Sequence, residues 1–341
     1  MVDTLFETWQ LVEAGFPRNE TPADKLSFLL RYAVRAPSGH NTQPWLFHMT
    51  GEAVELHADR RRAMPAVDPG DRELIMSCGA ALLHLRVALG HFGYAGEVTL
   101  FPDKHKPDYL ARISLGTPAL SGAEDEMLFR AIPHRHTYRL PFEPRSVPDS
   151  LQTALQQAAT AEGASLRVIA NPARQAVMAA LIAAGEAGQS ADAGFREELA
   201  VWMRANRDLS GDGLPGYAFG FGDVTSYFLP FLMRKLDLLQ GQVAKDQALA
   251  TAAPLLAVLE TPADTPVAWL AAGQAVARVL LRASVDGVAA SFLNSPIEVA
   301  ELRARLGRIL DSVGYPQLLL RLGYAPEGPP TPRREVSAVL I

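Results

Sequence analysis

Apolar residues recur at spacings of three and four along most of the chain, which is the pattern of helices that bury one face. Seven segments show this pattern: 24–34, 73–92, 148–161, 173–188, 194–207, 266–287 and 297–309. Shorter runs rich in apolar and β-branched residues predict strands between these helices. They fall at 45–49, 53–57, 96–101, 110–115, 165–170, 253–260 and 317–324. Strands separated by helices, which often come in pairs, predict an α+β fold in layers.

Two stretches of this pattern are alike. Residues 79–101 and 272–293 each begin with a small residue, continue as a helix, and pass through a glycine into an extended stretch. With 341 residues, the chain is long enough for two domains or for one duplicated fold. The similarity fits an internal duplication, but any helix that ends at a glycine gives a comparable outline. The pattern alone leaves both interpretations open.

Composition narrows the class of protein. A net charge of −5 and a pI near 5.9 give no basic footprint, so nucleic acid is not an expected partner. The single Cys78 excludes an intrachain disulfide and fits a reducing compartment. The amino terminus lacks a basic leader with an apolar core, and the apolar stretch 274–293 is interrupted by Arg278, Arg282 and Asp286. We therefore expect a soluble, cytoplasmic protein that does not insert into a membrane.

Three polar clusters interrupt the apolar pattern. The first, RAPSGHNTQPWLF at 35–47, is a turn dense in side-chain amides and hydroxyls, which is costly to fold unless its polar groups find partners. The second, IPHRHTYRLPF at 132–142, carries two guanidiniums beside a hydroxyl, a set that can bind a phosphate or polarise a carbonyl. The third, PPTPRREV at 329–336, follows a predicted strand that could return it to the core. Solvated chain segments are the alternative for the second and third clusters.

Other chemistries have weaker signals. His134 and His136 alternate, but no third ligand lies near them at metal-binding spacing, so we expect no metal site. Cys78 falls inside a predicted apolar helix, where a buried core thiol is favoured over a nucleophile. Ser38 lacks the G-x-S-x-G elbow of hydrolases, and no G-x-G-x-x-G turn indicates a Rossmann domain.

Five stretches together resemble the nitroreductase superfamily of flavin mononucleotide (FMN) proteins. The similarity is greatest to its Acg-like branch, in which two nitroreductase-like halves share one chain. The stretches are APSGHNTQPWLF, DPGDRELIMSCGAALLHLRVAL, RHTYRLPF, DGVAASFLNSPIEV and GYPQLLLRLGYAPEGPPTPRREV. They keep the order of the family and extend over nearly the whole chain, from residue 24 to residue 340. The resemblance implies two α/β/α halves, residues 1–130 and 131–341, each with a mainly antiparallel sheet covered by helices, which form a pseudo-dimer.

The resemblance also implies where a flavin would bind, because FMN lies across the dimer interface of two-subunit nitroreductases. The turn of the first half would pack Pro37 and Ser38 on the isoalloxazine ring and hydrogen-bond it through Asn41. An arginine of the second cluster and at least one of the terminal pair would hold the phosphate. The full set of residues implied to bind FMN is Pro37, Ser38, Asn41, Gln43, Arg135, His136, Thr137, Arg139, Ala290, Ser291, Arg333 and Arg334.

Each half keeps a different part of this set. The aligned stretches of the opposite halves, 11–26 and 155–169, have lost the corresponding residues. The resemblance therefore implies one FMN per chain rather than two.

The implied activity is an oxidoreductase in which NAD(P)H reduces FMN and a nitroaromatic, a quinone or a similar small-molecule acceptor takes the electrons. A second function stays open: an FMN-binding or storage protein whose flavin is covered and that has little or no reductase activity. The segment 202–233 would distinguish them, because its glycines and aromatic residues could fold over the flavin as a lid or form an ordinary interdomain loop. Either protein would act as a monomer with a pseudo-dimeric site or as a homodimer.

Overall fold

Each half of the chain builds one four-stranded antiparallel sheet with helices packed on it. The computed structural model describes residues 4–10, 12–235 and 238–341, so Leu11, the first residue of the stretch 11–26, lies outside the described residues. The first half consists of α1 (Pro22–Ala33), β1 (Trp45–Thr50), β2 (Ala53–Ala58), α2 (Arg72–His91), β3 (Glu97–Leu100), β4 (Tyr109–Ser114) and α3 (Ala123–Ala131).

The second half is longer because several helices are inserted between its first two long strands. It consists of α4 (Asp149–Thr160), β5 (Ser165–Ile169), α5 (Pro172–Ala191), α6 (Ala193–Trp202), β6 (Met203–Arg204), β7 (Leu214–Pro215), α7 (Asp223–Lys235), α8 (Leu238–Thr251), β8 (Leu255–Thr261), α9 (Pro266–Val285), β9 (Val288–Phe292), α10 (Ser295–Glu298), α11 (Ala300–Ile309) and β10 (Tyr315–Tyr324).

The two sheets have the same strand order. The first is β1-β2-β4-β3 and the second is β5-β8-β10-β9, and all neighbours in both are antiparallel. In each half a helix precedes the first strand, α1 or α4, and a long helix follows the second, α2 or α9. A tight turn joins β1 to β2, whereas α5 to α8 lie between β5 and β8. The expected α+β fold is confirmed, and the boundary after residue 130, at the end of α3, stays a prediction.

The second sheet is covered on both faces. Alternate residues of β8 point in opposite directions, so that Leu255 and Leu259 pack with α4 and α9 while Leu256 and Val258 pack with α5 and α11. All seven residues of β8 are therefore buried. The first sheet packs one face on α1 and α2, and its other face carries partly exposed polar side chains such as Arg112.

The helices α2 and α9 meet at the centre of the molecule. A Cβ atom added to Gly79 would lie 2.2 Å from the carbonyl oxygen of Leu270, and one added to Gly273 would lie 1.9 Å from that of Met76. The contact is reciprocal, since residues three apart on each helix meet the matching pair on the other, as in a two-fold interface. Only glycine permits this approach, so the two helices fix how the halves pack.

The same helix α2 is long and apolar enough to cross a membrane by length and composition. In this fold, 83% of its most apolar 18-residue window is buried within the protein. The contacts with α9, α1 and the first sheet therefore cover its apolar surface.

The element boundaries differ from expectation in three places. The helix expected at 297–309 is interrupted at Val299, whose extended backbone separates α10 from α11. The helix expected at 194–207 ends at Trp202, where the chain pairs as β6 with β7. The helix α7 was not expected, and it forms although Pro230 lies inside it. A further helix that was not expected, α3, lies in the first half. In the insertion, which contains α6 and α7, tertiary contacts override the local pattern.

Candidate functional site

A cavity of about 600 Å³ lies between the two halves. The first half lines it with the turn at residues 37–40 and with one face of α2. The second half contributes the ends of β9 and β10 and the inserted helices α5, α6, α7 and α8. Of the residues implied to bind FMN, five line this cavity: Pro37, Ser38, Thr137, Arg139 and Ser291.

The turn that borders the cavity has an unusual backbone. His40, Asn41 and Gln43 have φ angles of 45°, 55° and 51°, the left-handed region that residues other than glycine seldom occupy. Each such residue costs on the order of 1–3 kcal/mol unless the surroundings hold it in place. The Ser38 hydroxyl accepts a hydrogen bond from the Gln43 amide at 2.9 Å, and the Gly39 amide donates to the Ser77 hydroxyl at 3.3 Å. The turn is thus held open toward the cavity by bonds at both ends.

The amides of Asn41 and Gln43 anchor this turn to the second half. Asn41 Nδ2 donates to the carbonyl oxygens of Gly213 and Pro332, both at 3.0 Å. Gln43 Nε2 donates to the carbonyl of Gly211 at 2.8 Å. Both side chains are buried and neither lines the cavity. The expectation that Asn41 bonds a flavin ring directly therefore changes to a positioning role, because its amide is already engaged with protein groups.

Three arginines form a buried cluster behind the edge of the cavity. Arg135 Nη2 and Arg333 Nη2 both donate to the carbonyl oxygen of Arg35, at 3.4 and 3.3 Å. The Trp9 ring contacts two of the guanidiniums, 5.1 Å from that of Arg35 and 5.4 Å from that of Arg333. Arg35 lies two residues before Pro37, and Arg135 lies two residues before Thr137. Both Pro37 and Thr137 line the cavity.

The cluster lacks counter-ions. Within the part of the chain that the structure describes, none of Arg35, Arg135 and Arg333 forms an ion pair, although all three are at least 95% buried. Among the described residues, no hydrogen-bond acceptor reaches the buried Nε atoms of Arg135 and Arg333. Burial lowers the pKa of Arg35 and Arg135 to about 10, so both stay charged at neutral pH. Their hydrogen-bond partners are neutral groups, such as the carbonyl of Thr8 for Arg35 and Asn41 Oδ1 for Arg333. Buried cations without counter-ions indicate a site for an anion.

A second pair of arginines faces the cavity itself. Arg139 lies over the Phe219 ring at 5.2 Å, and Arg321 over the Phe142 ring at 4.3 Å. Arg321 donates to the carbonyls of Tyr138 and Leu140, but its Nε has no acceptor. Burial lowers the pKa of Arg139 and of Arg321 to about 10. This wall of the cavity therefore carries two guanidiniums, and the Asp246 side chain, which also lines the cavity, interacts with both of them.

The other residues of the implied set support the site from outside the cavity. Ala290 on β9 accepts a hydrogen bond from the Tyr138 amide at 2.9 Å and pairs with Thr137. His136 Nε2 accepts from the Gly328 amide at 3.1 Å, which fixes the chain after β10. The Arg334 amide donates to Gln43 Oε1 at 2.9 Å, and its side chain also contacts the turn. Of the terminal pair, Arg333 belongs to the arginine cluster and Arg334 does not.

Sequence reasoning missed several cavity residues. Arg321 interrupts the apolar run LLLRLGY, so a charge inside a predicted strand was the available signal. Arg35 is the first residue of the first polar cluster and does not line the cavity, but its place in the arginine cluster was also not expected. Glu73, Glu186 and Glu298 also line the cavity. They come from α2, α5 and α10 and gave no local signal, because only the fold brings them together.

The segment 202–233 borders the cavity, but only some of its aromatic residues line it. Phe219 and Phe221 line the cavity together with Leu214 and Leu229. Trp202 instead packs with a small cluster of the first half, and Tyr227 is 64% exposed. The base of the segment is held by the bonds from Asn41 and Gln43 to Gly213 and Gly211 described above.

Comparisons with known proteins give one family. No protein-family model matches the chain. The Mycobacterium tuberculosis protein named "Putative NAD(P)H nitroreductase Rv3131" is 34% identical over 329 residues, covering 93% of this chain and 91% of its own. Another from that organism, "Putative NAD(P)H nitroreductase acg", is 28% identical over 330 residues, 95% of this chain and 97% of its own. The crystal structure of the FMN-dependent nitroreductase NfnB from Mycobacterium smegmatis in complex with NADPH matches 62% of this chain and 96% of its own at 18% identity, with a TM-score of 0.42. This chain belongs to the nitroreductase superfamily and to its Acg-like branch.

Proposed function

We propose that this protein binds FMN in the cavity between its halves and uses it to transfer electrons from NAD(P)H to a small-molecule acceptor, such as a nitroaromatic or a quinone. The observation that carries the proposal is the cluster of Arg35, Arg135 and Arg333, three buried cations without counter-ions among the described residues. The three arginines do not line the cavity, but Arg35 and Arg135 stand two residues before the cavity-lining Pro37 and Thr137, and the cavity is large enough for a cofactor. The names of the relatives, NAD(P)H nitroreductases, support the choice of reductant.

The residues present fit FMN at both of its ends. Its phosphate requires charge-assisted donors in a buried site, and the free Nε atoms of Arg135 and Arg333 supply them. Its flat ring system requires an apolar wall and a few fixed polar groups, which Pro37, Ser38 and Arg139 offer. Arg35 holds the other two guanidiniums through its carbonyl oxygen and adds a third positive charge.

When bound, FMN supplies the hydride chemistry, which it carries out without a tuned acid or base from the protein. The chain's own residues bind the cofactor and shield it from water. Phe219, Phe221 and Leu229 exclude water from one side of the cavity. Thr137 and Ser291 place hydroxyl groups at the wall that carries the two guanidiniums, where they can orient a polar group by hydrogen bonds. The anchored turn of the first half keeps Pro37 and Ser38 in place on the opposite side.

We infer one FMN per chain from a comparison of Arg35 with the residue that occupies the equivalent position in the second half. Arg35 lies two residues after the end of α1, and Glu162 lies two residues after the end of α4. Glu162 is buried between Arg86 and Arg278, at N–O distances of 2.6 and 2.8 Å. Arg278 also pairs with Glu124 at 3.1 Å, so two carboxylates of the protein neutralise the two arginines at this second position, and neither arginine is left uncompensated to bind a phosphate.

The alternative, an FMN-binding protein with a covered flavin, has its own support in the segment 202–233. Phe219 and Phe221 lie at the cavity, and hydrogen bonds from the first half hold the base of the segment. The two functions differ in whether a nicotinamide reaches the flavin. Electron transfer is favoured because the relatives carry nitroreductase names, and a monomer with its pseudo-dimeric site suffices for either function.

Anaerobic mixing with NADH or NADPH tests the proposed function. We expect the visible band of the oxidised flavin to bleach with at least one nucleotide, and to reappear when a nitroaromatic or quinone is added. A double variant, Phe219→Ala with Phe221→Ala, should change the bleaching rate because it removes the two rings that line the cavity.

The control is Tyr227→Ala, which removes a ring of the same segment that is exposed to solvent. It should bleach as the wild type does. Bleaching of the double variant alone would favour the covered-flavin function, and absence of bleaching in all three proteins would exclude electron transfer from NAD(P)H.

A further inference from the structure

One end of the cavity is lined by carboxyl groups from three helices. Glu73 on α2 is 7% exposed; its Oε1 accepts hydrogen bonds from Asn294 Nδ2 at 3.2 Å and from Arg72 at 3.4 Å. Its Oε2 accepts no hydrogen bond from the described residues and lies beside Gly39 of the cavity-lining turn. A buried carboxylate oxygen that faces a cavity without a donor indicates a ligand that would supply one.

Two further carboxyls face the same space. The carboxyl of Glu186 on α5 shares a side-chain hydrogen bond with Asp246, and its buried Oε2 has no donor among the described residues. Glu298 on α10 accepts a hydrogen bond from Gln189. Burial raises the pKa of all three carboxyls, to about 8 for Glu73, about 9 for Glu186 and about 7 for Glu298. Nearby carboxyls add to the effect, Glu298 on Glu73, Asp246 on Glu186, and Asp68 on Glu298. The group therefore holds protons at neutral pH that an entering cation could displace.

The surroundings of these carboxyls are apolar. Phe195, Leu199, Met203 and Leu249 line the cavity near them, together with the lid residue Phe221. Such walls accept a flat organic molecule and reject a small hydrated metal ion. Aromatic rings also stabilise an organic cation through their negative faces.

The cavity lining thus carries charges of both signs. Arg139 and Arg321 are its guanidiniums, Asp246 interacts with both of them and with Glu186, and the three glutamates come from three helices. We propose that the carboxyl end binds a flat organic cation, so that the preferred electron acceptor carries a positively charged nitrogen and an acidic acceptor is rejected. This inference rests on the proposed function and adds to it the charge class of the acceptor.

A consequence is that binding is linked to pH. A cation favours the ionised carboxyls, so its binding should release protons and tighten between pH 6 and pH 9, where these groups titrate. The other charged or titratable groups facing them are Asp68, Arg72, Glu198, Lys245, Asp246 and His40. Burial lowers the pKa of His40 to about 4, so it stays neutral over this range.

Calorimetric titration of the oxidised, flavin-loaded protein, with no NAD(P)H present, tests the proposal. The probes are three nitroaromatics of similar size: 4-nitrobenzyltrimethylammonium, 4-nitrobenzyl alcohol and 4-nitrobenzoate. We expect the cation to bind at least about tenfold more tightly than the anion, as attraction between charges at contact distance in a partly buried site requires. In buffers of different ionisation enthalpy, its binding should release protons at pH 7.5.

Glu186→Gln and Glu73→Gln should each reduce the preference for the cation and the number of protons released. Glu97→Gln, the same change on an exposed strand residue, is the control for net charge and should alter neither. Equal affinities for the three probes, or a preference that both buried variants keep, would overturn the proposal. Thermal melting of each variant checks that it is folded.

The two proposals can fail separately. Cation binding without any reduction of the flavin by NAD(P)H would contradict the proposed function alone. Reduction of the flavin without a preference for the cationic probe would contradict this inference alone.

Discussion

The variant Arg135→Met should lose most of its affinity for FMN while its cofactor-free form keeps or gains stability. A hydrogen bond to a charged group contributes roughly 1.5–3 kcal/mol, so losing this guanidinium should weaken FMN binding about ten- to hundredfold. In the structure, Arg135 makes one long hydrogen bond, to the carbonyl of Arg35 at 3.4 Å, and lies beside two other cations. Replacing such a buried charge by an apolar side chain of similar length is often neutral or stabilising.

The measurements are FMN titration by flavin fluorescence and thermal unfolding of the cofactor-free protein. Arg130→Met, at an exposed position five residues earlier on α3, is the matched control and should leave both unchanged. Unchanged FMN affinity of Arg135→Met would contradict the assignment of the cluster to the phosphate. A marked loss of stability of the cofactor-free variant would show that Arg135 acts mainly in folding.

Gly273→Ala should be the most destabilising small substitution in the chain. The added Cβ would lie 1.9 Å from the carbonyl oxygen of Met76, which belongs to the backbone of α2 and cannot move aside alone. The two central helices would have to separate, and we expect a loss of about 3 kcal/mol, at the upper end of the usual cost of overpacking. This cost exceeds the gain of about 1 kcal/mol that alanine brings to a helix interior.

Gly188→Ala provides the control, because that glycine also lies in a helix, α5, but has nothing within 4 Å of an added Cβ. Its unfolding midpoint in urea should stay the same or rise slightly. If Gly273→Ala unfolded at the wild-type midpoint, the close approach of α2 and α9 would not be essential to the fold.

Much of the fold could be predicted from the sequence where the local pattern and the tertiary contacts agree. The helix α2 was expected at 73–92 and spans Arg72–His91, and β8 was expected at 253–260 and spans Leu255–Thr261. These elements are buried on several sides, so their apolar residues define them. The break at Val299 was not predictable, because Leu302 and Leu306 continue an apolar spacing that a single helix would share.

Only those residues of the candidate site that belong to the polar clusters could be predicted from the sequence. Arg135 and at least one of Arg333 and Arg334 were expected at the cofactor phosphate. The structure brings Arg135 and Arg333 together around the carbonyl of Arg35, whose role the sequence gave no reason to expect. The carboxyl end of the cavity is built from residues 73, 186 and 298, each on a different helix. Their proximity depends on how the halves and the insertion pack, which no local pattern encodes.

The most direct test of the central claim is to release and quantify the flavin of the purified, reconstituted protein. We predict FMN, at one molecule per chain, because one position between the halves presents uncompensated arginines and the pseudo-equivalent position is neutralised by Glu162 and Glu124. A ratio near two, a flavin other than FMN, or a protein that retains none after reconstitution would contradict it.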